Sequence, residues 1–140
     1  MDKVKIAIEG SRNFGNINYY IHEYSISRSK AKDMVDRDYI KVEMAIKEKY
    51  NVEDIELVVS GGAEGVNTLA EVFANSYSLN MLIIRPEWDR YGKKAGFIRN
   101  PSIITNCDVC FAFWDRESEG TKNSIETAKK QNKILYLIPI

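Results

Sequence analysis

Three times along this chain a run of β-branched and apolar residues is followed by a glycine-bearing turn, and helical periods lie between the runs. This alternation restricts the fold more than any other feature. The runs are Lys3 to Glu9, Ile55 to Val59 and Asp108 to Trp114, and the turns are Gly10-Ser11-Arg12, Ser60-Gly61-Gly62-Ala63-Glu64-Gly65 and Gly120-Thr121. Asn80 to Ile84, closed by Pro86, and Ile134 to Ile138 supply two further strands. Strands separated by helices pair in parallel through right-handed crossovers. The expected fold class is therefore α/β: a Rossmann-like, doubly wound, mostly parallel five-stranded sheet with helices on both faces. The Asp108 to Trp114 strand is apolar on both faces and belongs in the sheet interior. All three turns follow strand C-termini, so they share the sheet edge at which open α/β folds take ligands.

The helices are less evenly marked. Val66, Leu69, Ala70 and Phe73 define one that runs to about Tyr77, and Ile125 and Ala128 give the inner face of the last. Ile40, Val42, Ala45 and Ile46 indicate a helix from Asp38 to about Tyr50, with Asp36 or Asp38 as N-cap. Ile98 to Asn106 reads as a short helix with Pro101 in its first turn. Glu87 to Phe97 is polar and punctuated by glycine, and reads as a loop. Asn13 to Asp36 has no clean period and reads as an excursion with a short helix near Arg28 to Val35. The expectation is a single domain over residues 1–140 with an insertion at about 13–36.

Charge and cysteine usage narrow the function classes. Lys plus Arg and Asp plus Glu both number 20, for a net charge of zero. That balance argues against a protein whose affinity comes from neutralising many nucleic-acid phosphates, so nucleic acid is not the expected partner. No run approaches the ~20 apolar residues of a membrane span, and Met1 to Glu9 lacks the layout of a signal peptide, so no membrane partner and a cytoplasmic location are expected. Cys107 and Cys110 form a C-x-x-C that straddles a helix end and a strand start, and a zinc site would need two more ligands from a chain whose only histidine is His22. Core cysteines, no metal site and no cofactor are the expectation.

The stretch Leu57 to Asn67 carries the clearest chemistry. A strand–turn–helix of this kind leaves N–H groups unpaired at a helix start, and glycine lets a phosphate approach the main chain, although an ordinary connection has the same form. Arg12 either binds phosphate with its planar fork or pairs with Asp115. Trp88 and Tyr91 either stack on a base or cover the core. Glu9, at the end of a buried strand, either accepts hydrogen bonds from ribose hydroxyls or caps its own turn. Tyr19, Tyr20, His22 and Tyr24, interleaved with Arg28, Lys30 and Lys32, suit a lid over a nucleotide or a dimer contact.

Taken in order, Gly10-Ser11-Arg12, Ser60-Gly61-Gly62-Ala63-x-Gly65, Pro86-x-Trp88, Gly92-x-x-Ala95-Gly96-x-x-Arg99-Asn100, Asp108, Ala112-Phe113-Trp114-Asp115 and Gly120-Thr121 resemble the YspA-like branch of the SLOG superfamily. The resemblance implies a sensor or processor of nucleotide-derived small molecules, related to the LOG phosphoribohydrolases and to the DNA-processing protein DprA. It implies that Ser60, Gly61, Gly62 and Gly65 cradle a phosphate, that Gly120 and Thr121 add donors from the facing helix start, and that Gly10, Ser11, Arg12, Arg99, Asn100 and Asp115 complete the ligand site. It also implies a homodimer. The sequence departs from the LOG pattern at Ser124, where those enzymes carry a carboxylate, and Glu126 lies about 200° round the helix from it. The branch has an acid at the position of Asn67 and an arginine at that of Glu64, and its first helix follows Gly-Ser-Arg almost directly. The expected function is binding of a phosphate-bearing, nucleotide-derived small molecule, as a sensor or as a protein that sequesters a nucleotide second messenger. The alternatives are a LOG-type nucleoside 5′-monophosphate phosphoribohydrolase, for which Arg99, Glu9, Glu64 and Asp115 are the catalytic candidates, and a DprA-like DNA-handling module.

Overall fold

In the computed structural model, which describes residues 2–140, β1 (Val4–Gly10) lies at the centre of the sheet. It pairs in parallel with β2 (Ile55–Ser60) on one side and β4 (Val109–Trp114) on the other, and β3 (Met81–Ile83) and β5 (Ile134–Pro139) take the edges. The order is β3-β2-β1-β4-β5, all parallel. Direction of winding therefore reverses between β1 and β4, and a crevice opens beyond their C-terminal ends.

Strand alternation sorts the core into two layers. Ile6, Ile8, Val58, Phe111 and Phe113 face α2 (Arg28–Lys49) and α3 (Val66–Ser76), which contribute Val42, Ile46, Leu69 and Phe73. Ala7, Val59 and Cys110 face the opposite way, against Ile103, Ile104 and Cys107 of the α5 (Ala95–Thr105) segment and Ala128 of α6 (Glu119–Lys130). Both cysteines are free and buried. Burial pushes the Cys107 thiol up to about 11 and raises that of Cys110 as well, which suits packing and opposes thiolate chemistry.

Three expectations need correction. Residues 13–36 hold more helix than the short one expected near Arg28 to Val35: α1 (Ile17–Tyr24) is followed by α2, which starts at Arg28 and runs unbroken for 22 residues. The cap is Ser27, whose hydroxyl accepts from the Lys30 N–H, and neither Asp36 nor Asp38 starts the helix. Asp38 instead accepts from the Gly15 N–H and the Tyr20 hydroxyl, fastening α1 to α2; burial raises its pKa and these bonds oppose the rise. The helix is continuous because nothing between Ser27 and Lys49 breaks it, and Ala31, Val35, Tyr39, Val42 and Ile46 form one inward stripe. Its first half was hard to read because the stripe there is only an alanine and a valine among charges.

Glu87 to Phe97 is likewise mostly helical. A single turn, α4 (Trp88–Tyr91), and a 3₁₀ turn (Gly92–Lys94) lead directly into α5. α5 therefore begins at Ala95, ahead of Ile98, and Pro101 falls inside it, where it removes the N–H that Phe97 would have bonded. Among the described residues no helix is long and apolar enough to cross a membrane.

The phase of α2 is open to test. Ile46 is fully buried and Met44 is 65% exposed, so Ile46→Ala should cost about 2–5 kcal/mol and Met44→Ala less than about 0.5 kcal/mol in urea titrations. Equal losses would contradict the assigned face.

Candidate functional site

A cavity of about 330 Å³ occupies the crevice. The end of β1 gives it Glu9, Gly10 and Arg12; the start of α3 gives Ala63 and Asn67; α4 and α5 give Trp88, Phe97, Arg99 and Asn100; the start of α6 gives Ser118, Gly120, Thr121 and Ser124. A second cavity of about 360 Å³ shares Arg12, Ala63, Trp88 and Arg99 with the first and adds Gly62, Glu64, Arg85 and Pro86. Three arginines thus gather along one groove in a chain with no net charge.

The Gly-rich turn uses its own donors. The Gly62 N–H donates to Ser60 Oγ at 3.3 Å and the Ala63 N–H to Asn67 Oδ1 at 3.2 Å, while the Val66 N–H bonds the Ser11 carbonyl at 3.1 Å. Its glycines answer to the protein as well. A Cβ on Gly65, at φ +77°, would collide with the main chain of Ser11 and Arg12, and one on Gly61 with the Arg99 guanidinium. A Cβ on Gly62, at φ +70°, would come within 2.8 Å of Ile83 and Arg85. Gly10 is closed in the same way by Val66 and Phe113. These glycines permit the β1 turn, the β2 turn and α3 to touch.

The start of α6 is different. Its first intrahelical bond runs from the Lys122 N–H to the Ser118 carbonyl, so helix geometry leaves the N–H groups of Glu119, Gly120 and Thr121 without a partner in the helix. Nothing lies within 4 Å of where a Gly120 Cβ would stand, and Gly120 and Thr121 both line the cavity. Asp115 shapes this end without lining either cavity. Its Oδ1 accepts from the N–H groups of Glu117 and Ser118, each at 2.8 Å. Burial works to raise its pKa, but these bonds and one from Ser11 outweigh it and hold the carboxyl below its usual range. Ser124 is buried on the cavity wall and Glu126 is exposed on the far side of α6.

The arginines divide the work. Arg99 donates from Nη1 to the carbonyls of Gly61 and Ile84, the latter at 2.8 Å, and from Nε to Asn100 Oδ1 at 3.0 Å. It ties the ends of β2 and β3 to α5, and Asn100 continues the link to Asn123 at 2.9 Å. Arg12 is uncommitted: its guanidinium lies 5.9 Å above the Trp88 ring, and the ion pairs among the described residues are Lys5–Glu56, Lys32–Asp36 and Arg90–Glu87. It does not pair with Asp115. Glu64 accepts from Asn16 Nδ2. Tyr91 and the α1 residues Tyr19, Tyr20, His22 and Tyr24 line neither cavity. Of the residues not singled out from sequence, Arg85 was accessible through its place just beyond a strand C-terminus, whereas Phe97 and Ser118 carried no such mark.

Glu9 stands at the floor, 6% exposed. Its Oε2 accepts from Asn67 Nδ2 at 3.0 Å, and its Oε1 is buried without a hydrogen-bond partner. Burial raises its pKa, and the Asn67 hydrogen bond and the charge of Arg99 offset only part of the rise.

No protein-family model matches the sequence. In sequence the chain is similar to the gene 61 protein of Mycobacterium phage D29, with 34% identity over 80 residues, 53% of this chain and 64% of the relative. In structure it is similar to DNA processing protein A (DprA) from Streptococcus pneumoniae, with a TM-score of 0.65, 19% identity, and coverage of 99% of this chain and 51% of that one. DprA from Helicobacter pylori, described in its single-stranded DNA binding mode, gives a TM-score of 0.61, 20% identity, and coverage of 99% and 66%. The chain spans about half to two thirds of the length of these relatives. What it shares with the DprA structures is the Rossmann-like fold, a parallel five-stranded sheet flanked by helices. The expectation that set nucleic acid aside as a partner does not stand, because these neighbours are DNA-processing proteins. Net charge also does not report how charge is distributed: Arg12, Arg85, Arg99 and Lys93 gather along the cleft.

Two stability measurements follow from this geometry. Gly65→Ala should cost about 1–3 kcal/mol through its positive φ and the overlap with Ser11 and Arg12, and unchanged stability would remove the close approach on which the crevice is built. For Glu9 the folded state holds its proton more tightly than the unfolded chain. Its contribution is fully present below the unfolded value of 4.5 and is lost as pH rises through the folded value. Glu9→Gln should therefore melt above wild type near pH ~7 and lose that advantage as pH falls below about 4.5. A gap independent of pH would contradict the buried, unpaired carboxyl.

Proposed function

We propose that the protein binds a phosphate-bearing nucleotide in the crevice between β1 and β4. The phosphate sits at the open start of α6 within reach of Arg12, and the base lies toward Trp88. The observation that carries this reading is the joint lining of one cavity by an uncommitted arginine, an aromatic face and unpaired helix-start donors. A volume of about 330 Å³ falls at the small-ligand end of binding sites. The motif resemblance to the SLOG superfamily supports the same ligand class. The reading is of a binder: Ser124 stands on the wall where the LOG pattern has its carboxylate.

A second reading is favoured by the adjoining cavity and by the DprA likeness: a single strand of nucleic acid places one unit in each cavity and runs its backbone past Arg12, Arg85 and Arg99. The two readings differ in what length and salt do. Calorimetric titration with mononucleotides and with oligonucleotides of increasing length separates them. Affinity that saturates at one nucleotide supports the first. Affinity that climbs with length and falls steeply with salt supports the second.

In either case Arg12→Ala should weaken binding of the phosphorylated ligand by about 1.5–3 kcal/mol, the range of charge-assisted hydrogen bonds, and leave the unphosphorylated nucleoside nearly unaffected. Equal losses for both ligands would mean that Arg12 acts through packing on Trp88.

A further inference from the structure

The mechanism of binding just described leaves one group at the floor unexplained. Glu9 Oε1 is a polar atom with no partner, on a side chain 6% exposed that lines a cavity in which Arg12 and the start of α6 offer donors. Leaving such an atom unpaired costs free energy in the empty protein, and a ligand that brings a partner recovers it.

Asn67 fixes which oxygen is free. Its Oδ1 accepts from the Ala63 N–H and its Nδ2 donates to the Ile8 carbonyl and to Glu9 Oε2, so the amide cannot turn over without breaking three bonds. Oε2 is held, and Oε1 is left buried without a partner on a residue that lines the cavity. With the phosphate at α6 and the base at Trp88, which is 47% exposed and stands at the rim, the part of a nucleotide that lies between them, over the floor, is the sugar.

We infer that Glu9 is a specificity residue that hydrogen-bonds a sugar hydroxyl of the bound nucleotide, so that the site selects ligands with a free 2′- or 3′-hydroxyl over ligands that lack one. A hydroxyl suits this floor better than a ring N–H does. It donates to Oε1 when the carboxyl is ionised and accepts from it when the carboxyl is protonated, whereas an N–H fits only the first state. This inference rests on the nucleotide reading above. It goes further by naming the sugar as the part selected.

The test compares ribo-, 2′-deoxy- and 2′,3′-dideoxynucleoside monophosphates of one base by calorimetry, on wild type, Glu9→Met and Glu9→Gln. Wild type should bind the ribonucleotide about ten-fold or more tighter than the dideoxynucleotide, within the span of a hydrogen bond to a charged group. Glu9→Met, which keeps the length and removes the oxygens, should bind both alike. Glu9→Gln, which keeps an amide able to donate, should fall between them, and it carries the test if Glu9→Met does not fold. Equal binding of the three nucleotides by wild type, or an undiminished ratio in the variants, would overturn the role of Glu9 while leaving nucleotide binding intact. No binding of any of the three would overturn the nucleotide reading itself, and this inference with it.

Discussion

The C-terminal edge of the sheet depends on one buried amide. Asn67 reaches from the first turn of α3 to the Ala63 N–H of the Gly-rich turn, to the carbonyl of Ile8 in the central strand, and to the carboxyl of Glu9. Its donor and acceptor ends are both used, and each bond joins a different part of the crevice. An acid at this position, as in the family the motifs resemble, would set two carboxyls at hydrogen-bond distance, where only a shared proton relieves their repulsion. The amide removes that conflict and leaves Glu9 with one oxygen bound and one free.

From that arrangement the division between scaffold and site follows. The three glycine-bearing turns share an edge, but they are not equivalent. The turn after β2 spends the N–H groups of Gly62 and Ala63 on Ser60 and Asn67, and the carbonyls of Gly61 and Gly62 on Arg99 and Arg85. It is a structural joint that lets α3 sit against the β1 turn. The turn before α6 is held from behind by Asp115, and its glycine opens onto the cavity. On the proposed reading the anion is seated at α6 and on Arg12, and the Gly-Gly turn brings the walls together.

Much of the fold was legible because strand and turn chemistry are local. Apolar runs bounded by turn residues marked all five strands to within a residue or two, and their alternation with helices determined a parallel sheet. α2 was only half legible, since Ala31 and Val35 are a thin stripe among charges and the packing of Tyr20 and Asp38 that supports it is non-local. At the site, Glu9, Arg12, Trp88, Gly120 and Thr121 were recognisable from sequence and do meet in one cavity. What sequence could not convey was occupancy: that Arg99 is spent on backbone carbonyls, that Asp115 holds a turn, and that a side-chain amide fills the Gly-rich loop. Such facts depend on which partner arrives first in space. Net charge is blind for a related reason, because it sums over the whole surface while Arg12, Arg85 and Arg99 share one groove.

The central claim is that the phosphate seat is the start of α6 rather than the Gly-rich turn. Backbone amide NMR during titration with a nucleoside monophosphate tests it most directly, because an anion accepting from an N–H moves that resonance far more than a neighbour's. The account predicts large shifts at Glu119, Gly120 and Thr121, with the amides of Gly62 and Ala63 little changed because Ser60 and Asn67 already hold them. Large shifts at Gly62 and Ala63, with those of α6 unmoved, would contradict it.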